Sequence, residues 1–286
     1  MSGEGQRELW GDKIRLMNML KGGVIFCVQN QAQAKICEIV GAKALIALQP
    51  PAMAEGEEGV PAPPSRMADP NIIKNIMDCV MLPVFGQIRI GHEVEAHIMQ
   101  QICANGIHEY DKMPAASAKG AHIVKRGYKI PFICPASSLG EALQRISEGA
   151  SMIHTKGGEA DHTPNVAYAV TELTDINDGI KAAVRKLNDT DELKAYAEEI
   201  EAPVNLLMQV ARLGRLPVPL FGYGGVEEPT DAAYLKSHGC DGIIIGPAVL
   251  STMDAQRRAE AMIFACQHPK DYAMIARLTA TLGAVH

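Results

Sequence analysis

Eight short apolar runs alternate with longer amphipathic segments along this chain, and that alternation limits the fold more than any other feature. The runs are GGVIFCV (22–28), ALIAL (44–48), PVFGQIR (83–89), GIHEYD (106–111), PFIC (131–134), SMIHTK (151–156), PVPLFGYGG (217–225) and GIIIGPAV (242–249). Each has the length and content of a buried strand. The segments between them repeat apolar residues at helical spacing, as Val94, Ile98 and Ile102 do, or Leu139, Leu143 and Ile146. Glycines at 41, 106, 149 and 239 are expected to end helices in the left-handed conformation. Eight strand–helix units in 286 residues predict an α/β fold, a single-domain (β/α)8 TIM barrel. A doubly wound open sheet is the rival, but no GxGxxG turn follows the first strand. Gly224 and Gly225 near strand seven, and Gly246 at strand eight, fall where barrels often bind phosphate.

The expected organisation is an N-terminal segment (1–20), the barrel (21–268) and a C-terminal helical segment (269–286). One stretch, QPPAMAEGEEGVPAPPSRMADP (49–70), holds six prolines and two glycines and reads as a long loop on the catalytic face. Apolar residues reach 47% but aromatics only 5%, so the core must be aliphatic. A net charge of −6 leaves no basic footprint for nucleic acid. Seven scattered cysteines without a CxxC pair suit small buried thiols in a reducing compartment. No apolar run approaches the roughly 20 residues that cross a bilayer. A cytoplasmic protein without a membrane or nucleic-acid partner is expected.

Period-two alternation puts Phe85, Gln87 and Arg89 on one side of strand three, and Met152, His154 and Lys156 on one side of strand six. Lys156, at a strand end before Gly157 and Gly158, is either a solvated loop lysine or an amine able to form an imine with a sugar carbonyl. Cys27 is a candidate nucleophile or an inert buried thiol. His154, Glu159, Asp161 and His162 match no standard metal-ligand spacing, and His92 and His97 do not stack on one helix face. Backbone N–H groups at Gly157, Gly224, Gly225 and Gly246 could approach a phosphate closely, although Pro247 has no N–H to add.

A set of motifs in fixed order carries a resemblance. KGGVI (21–25), QAKICEIVGA (33–42), RMADP (66–70), RIGHEVEA (89–96), PFIC (131–134), LGEALQRISEGASM (139–152), TKG (155–157), GGV (224–226) with PTDAA (229–233), and GCDGIIIG (239–246) span nearly the whole chain. In this respect the sequence resembles the PdxS/SNZ family, the synthase subunit of glutamine-dependent pyridoxal 5′-phosphate synthase. The resemblance implies a (β/α)8 barrel assembled as two stacked hexameric rings. It implies condensation of a pentose phosphate, glyceraldehyde 3-phosphate and ammonia, the ammonia coming from a separate PdxT-type glutaminase. Pyridoxal phosphate would be the product, so no resident cofactor and no metal are implied. Two lysines, on strands three and six, would carry the covalent intermediates.

Carried over position by position, the pattern breaks at the reacting centre. The strand-three lysine of active members, in a segment like PVMAKARIGH, falls on Gln87, whose amide nitrogen is conjugated to its carbonyl and forms no imine. The strand-one aspartate falls on Cys27, the strand-six arginine on His154, and the serine after the strand-eight glycine on Pro247. The phosphate loop, GEPGTGN-like in the family, reads GGEADHTPN. After strand four, family acids give way to Lys112 and Pro114, while Asp111 is kept. Lys156, Arg66, Asp69, Arg89, His92, Arg145, Gly224 and Gly225 are retained. Several departures at one site mark a diverged homologue. The expectation is a noncatalytic or impaired PdxS-like subunit that joins active PdxS-type subunits in a hexamer or dodecamer. The alternatives are an active lyase working through Lys156 and a phosphosugar-binding sensor.

Overall fold

The computed structural model describes residues 3–50, 66–110, 122–158 and 165–282. Its strands are β1 (Val24–Val28), β2 (Ala44–Ala47), β3 (Val84–Arg89), β4 (Gly106–Tyr110), β5 (Phe132–Pro135), β6 (Met152–His154), β7 (Leu220–Tyr223) and β8 (Gly242–Ile245). They pair in parallel in chain order, and β8 returns to β1 through Val24↔Ile243 and Phe26↔Ile245. All eight apolar runs are therefore strands, and the sheet closes instead of staying open.

The strands are apolar over most of both faces because both faces are covered. One set of alternate residues, including Val24, Phe26, Val84, Ile88, Phe132, Ile153, Ile243 and Ile245, packs outward against the helices. The other set, including Ile25, Cys27, Ile46, Phe85, Ile133, Met152, Phe221 and Ile244, fills the interior. The lower end is plugged by α1 (Gly3–Asn18), whose Met17 joins this inner cluster together with Leu20 just beyond the helix. Trp10 Nε1 donates to the Ala150 carbonyl at 3.2 Å, and the Arg126 guanidinium lies 5.1 Å above the Trp10 ring. Lys13 donates to the Tyr128 carbonyl, and burial together with Arg126 lowers its amine to about 8.

The outer helices are α2 (Gln31–Val40), α3 (Pro70–Met77), α4 (Glu93–Gln101), α5 (Leu139–Glu148), α6 (Val166–Arg185), α7 (Thr190–Glu199), α8 (Val204–Leu213), α9 (Pro229–Ser237), α10 (Ala255–Gln267) and α11 (Tyr272–Ala280). They do not follow one helix per strand. Three helices separate β6 from β7, whereas among the described residues only a 3-10 turn (Lys125–Gly127) stands between β4 and β5. That gap is filled by a buried polar cluster. Lys125 Nζ lies 3.1 Å from Glu109 Oε2 and 2.7 Å from Glu148 Oε2, with all three side chains little exposed or not at all.

Gly41 and Gly149 end α2 and α5 in the left-handed conformation, as expected, and Gly239 also has positive φ. Gly106 does not cap a helix. It opens β4, and a Cβ there would stand 2.4 Å from the Phe85 ring of the neighbouring strand. The positive φ after α4 falls on Cys103 instead. Gly106 is glycine because of a packed ring inside the barrel.

Candidate active site

The carboxyl ends of the strands bring six polar side chains to the mouth of the barrel. Cys27 comes from β1, Gln87 from β3, His108 and Tyr110 from β4, His154 from β6 and Tyr223 from β7. The neighbouring strands set Gln87 in register with His108. His108 and His154 meet Nε2 to Nε2 at 3.0 Å, and their rings sit 4.9 Å apart. Tyr223 lies edge-on to His154 at 5.3 Å and to Tyr110 at 6.3 Å. A side-chain hydrogen bond joins Tyr223 to Cys27.

Burial sets the charge of this group. It pushes the Cys27 thiol up to about 12, against the pull of the Tyr223 hydrogen bond, so the thiol stays protonated and is a poor nucleophile at neutral pH. Burial also lowers His154 to about 4, against the pull of the Thr155 carbonyl. His108 is held well below the ordinary imidazole value, first by burial and then by His154. Both imidazoles are neutral at pH 7. His154 Nδ1 is 2.6 Å from the Thr155 carbonyl oxygen, which only accepts, so Nδ1 carries the proton. His154 Nε2 is then an acceptor, His108 Nε2–H donates to it, and His108 Nδ1 is left as a lone pair. That atom is buried and has no hydrogen-bond partner among the described residues.

Lys156 leans away from this group. Its Nζ lies 2.7 Å from Glu141 Oε1 at the start of α5, both side chains being 26% exposed. Burial alone would raise the Glu141 carboxyl, but the hydrogen bond and charge of Lys156 outweigh it and hold it below the usual range. The backbone N–H groups of Lys156 and Gly157 both donate to Glu172 Oε2 on α6, at 2.7 and 3.0 Å. The N–H that sequence reasoning offered to a phosphate at Gly157 is thus held by the chain's own carboxylate.

The glycine signal has a packing cause. A Cβ on Gly157 would lie 2.4 Å from the Gly224 Cα, and one on Gly225 would lie 2.2 Å from the Val166 nitrogen. These residues let the β6 and β7 loops cross in contact. Gly246 is different, for a Cβ there meets nothing within 4 Å.

Two of the retained basic residues are paired with carboxylates. Arg89 Nη2 pairs with Glu95 Oε1 at 2.7 Å, and the Arg89 N–H donates to Glu95 Oε2. His92 caps α4, its Nδ1 accepting from the Glu95 N–H. Arg145 lies on α5, where it pairs with Glu148 at 2.7 Å beside the Lys125 cluster. Arg66 is exposed at the edge of the described segment. Asp111, Glu159, Asp161 and His162 lie outside the described residues. Sequence reasoning missed His108, Tyr110, Tyr223, Glu141 and Glu172. The spacing of two between His108 and Tyr110 was the available signal for the first pair.

An eight-stranded parallel barrel with a lysine and a cluster of polar side chains at its carboxyl-terminal mouth defines the class. The fold is shared with thiamine phosphate pyrophosphorylase from Pyrococcus furiosus, at a TM-score of 0.52 and 14% identity, over 89% of this chain and 99% of that one. Residues 11–223 match the SOR/SNZ family model. The chain is 44% identical over 276 residues to the pyridoxal 5′-phosphate synthase subunit pyroA of Emericella nidulans, covering 95% of this chain and 88% of the relative. It is 43% identical over 275 residues to the subunit PdxS of Dictyoglomus turgidum, covering 95% and 90%. It is 42% identical over 279 residues to the subunit PDX1.1 of Arabidopsis thaliana, covering 97% and 87%. The chain belongs to the SOR/SNZ family.

Proposed function

We propose that this protein is a noncatalytic subunit of a pyridoxal 5′-phosphate synthase assembly, working beside active PdxS-type subunits in a ring and within reach of a PdxT-type glutaminase. The observation that carries the reading is the inward position 87 on β3. An amide stands there, among a thiol and two imidazoles that burial keeps uncharged. Catalysis through an imine needs a free amine, and removing the nucleophile closes that route. Lys156 is not an immediate substitute, because its ammonium is paired with Glu141 and must give up both that contact and a proton before attacking a carbonyl.

The test combines the purified protein with ribose 5-phosphate, glyceraldehyde 3-phosphate and ammonium, and follows chromophore formation. No turnover is expected alone, and co-purification with an active subunit is expected when both are expressed. A second reading, an active lyase using Lys156, is favoured by the position of that amine at the end of β6. Borohydride reduction with ribose 5-phosphate would then leave an adduct on Lys156, seen by mass spectrometry, and that result overturns the noncatalytic reading.

A further inference from the structure

The segment that presents Lys156 is held along its whole length. The N–H groups of Lys156 and Gly157 donate to Glu172 Oε2 at 2.7 and 3.0 Å. The preceding Thr155 Oγ1 donates to the Tyr223 carbonyl and accepts from the Tyr223 N–H, both at 2.7 Å. The backbone is thereby fixed to α6 on one side and to β7 on the other. Only the lysine side chain is left to choose a direction, and its Nζ is taken by Glu141 Oε1 at 2.7 Å.

Glu141 is itself positioned for this contact. It lies in the first turn of α5, where the helix dipole favours a negative charge. Its Oε2 accepts from both the N–H and the hydroxyl of Ser137, each at 3.0 Å, so the carboxylate cannot turn away without losing two hydrogen bonds. Burial alone would raise this carboxyl, yet Lys156 and Ser137 together hold it below the usual range. The pair differs from Lys181–Asp178 and Lys194–Asp191, in which both partners are more than half exposed and stand three residues apart on one helix. Such surface pairs restrain a lysine weakly, because water competes and two mobile side chains must be ordered. Here the acceptor is ordered beforehand and both side chains are 26% exposed.

We propose that Glu141 is a positioning residue that silences Lys156, holding it as an ion-paired ammonium against α5. An amine adds to a carbonyl carbon only after the ammonium has released its proton and its lone pair is free, and water leaves as the imine forms. Glu141 opposes the first of these steps by charge and the second by contact. The proposal rests on the noncatalytic reading and deepens it: the amide at position 87 removes one amine from the barrel, and a carboxylate from the preceding helix restrains the other.

The test is reductive methylation of the full chain with formaldehyde and a borane reductant, the initial rate at each lysine being read by peptide mass spectrometry. Lys181 and Lys194 are the exposed references, and the fully buried Lys125 reports any loss of fold. In the wild-type chain Lys156 is expected to react at least tenfold more slowly than Lys181. Glu141→Gln keeps the shape of the side chain and removes its charge. It should raise the Lys156 rate at least fivefold, with Lys181 within twofold and Lys125 still unlabelled. A smaller rise in a variant whose Lys125 stays unlabelled would show that burial or the backbone restrains the amine, and would overturn the proposal. So would a wild-type Lys156 rate within tenfold of that of Lys181, a comparison that stands whether or not the variant folds. Neither result touches the noncatalytic reading, which falls only on turnover or on a reduced ribose 5-phosphate adduct at Lys156 of the wild-type chain.

Discussion

Replacing His154 by asparagine should remove a pH dependence whose size follows from the geometry of the mouth. In the folded chain burial lowers this imidazole from 6.5 to about 4. Between those values the unfolded chain binds the proton and the folded chain does not, so stability falls as pH falls. The stabilisation is complete above pH 6.5 and is lost progressively as pH drops toward the folded value. At pH 5 the loss is about 2 kcal/mol, and the limiting value well below both is about 3 kcal/mol, from roughly 1.4 kcal/mol per unit. Asparagine keeps a donor for the Thr155 carbonyl but leaves the His108 Nε2–H without its acceptor, which costs about 1–3 kcal/mol at neutral pH. The variant should therefore be less stable than wild type at pH 7.5, and the gap should narrow by about 2 kcal/mol at pH 5. Urea unfolding of both proteins at matched ionic strength measures this. A gap that stays constant from pH 7.5 to 5 would show that His154 is not held neutral and would undo the tautomer assignment for the pair.

Two further expectations follow from packing. Gly225→Ala places a Cβ 2.2 Å from the Val166 nitrogen at a φ of +65°, and should cost about 2–4 kcal/mol in thermal or urea unfolding, whereas Gly246→Ala, open on all sides, should stay within about 0.5 kcal/mol. Equal effects would contradict the crossing of the β6 and β7 loops. Lys125→Met strands the buried Glu109 carboxylate and should cost about 3–5 kcal/mol by urea unfolding, and a change near zero would mean the cluster between β4 and β5 is not held by this amine.

Much of the fold was legible without coordinates because a covered parallel strand leaves a strong local mark. Both faces of β1 or β8 are apolar, so VIFCV and GIII stand out from the amphipathic helices around them. The alternation that turns Phe85 and Gln87 inward is likewise a property of extended backbone, and it survives into the structure unchanged. The sequence by itself also determined the loss of an amine at position 87, since a carboxamide nitrogen is unreactive whatever surrounds it.

Tertiary structure decided which groups meet and what charge they carry. Lys156 looks the same in sequence whether it faces a substrate or Glu141; in the structure its Nζ pairs with Glu141 from α5. Gly157, Gly224 and Gly225 resemble a phosphate cradle in one dimension; in three, all of them are where backbones cross, and Glu172 from α6 holds the N–H of the first. His108 and His154, 46 residues apart, become a neutral pair only because barrel closure buries them against each other. Local sequence fixes backbone conformation and the chemistry of each side chain, whereas desolvation and pairing depend on residues distant along the chain, and those are what set the charge of a site.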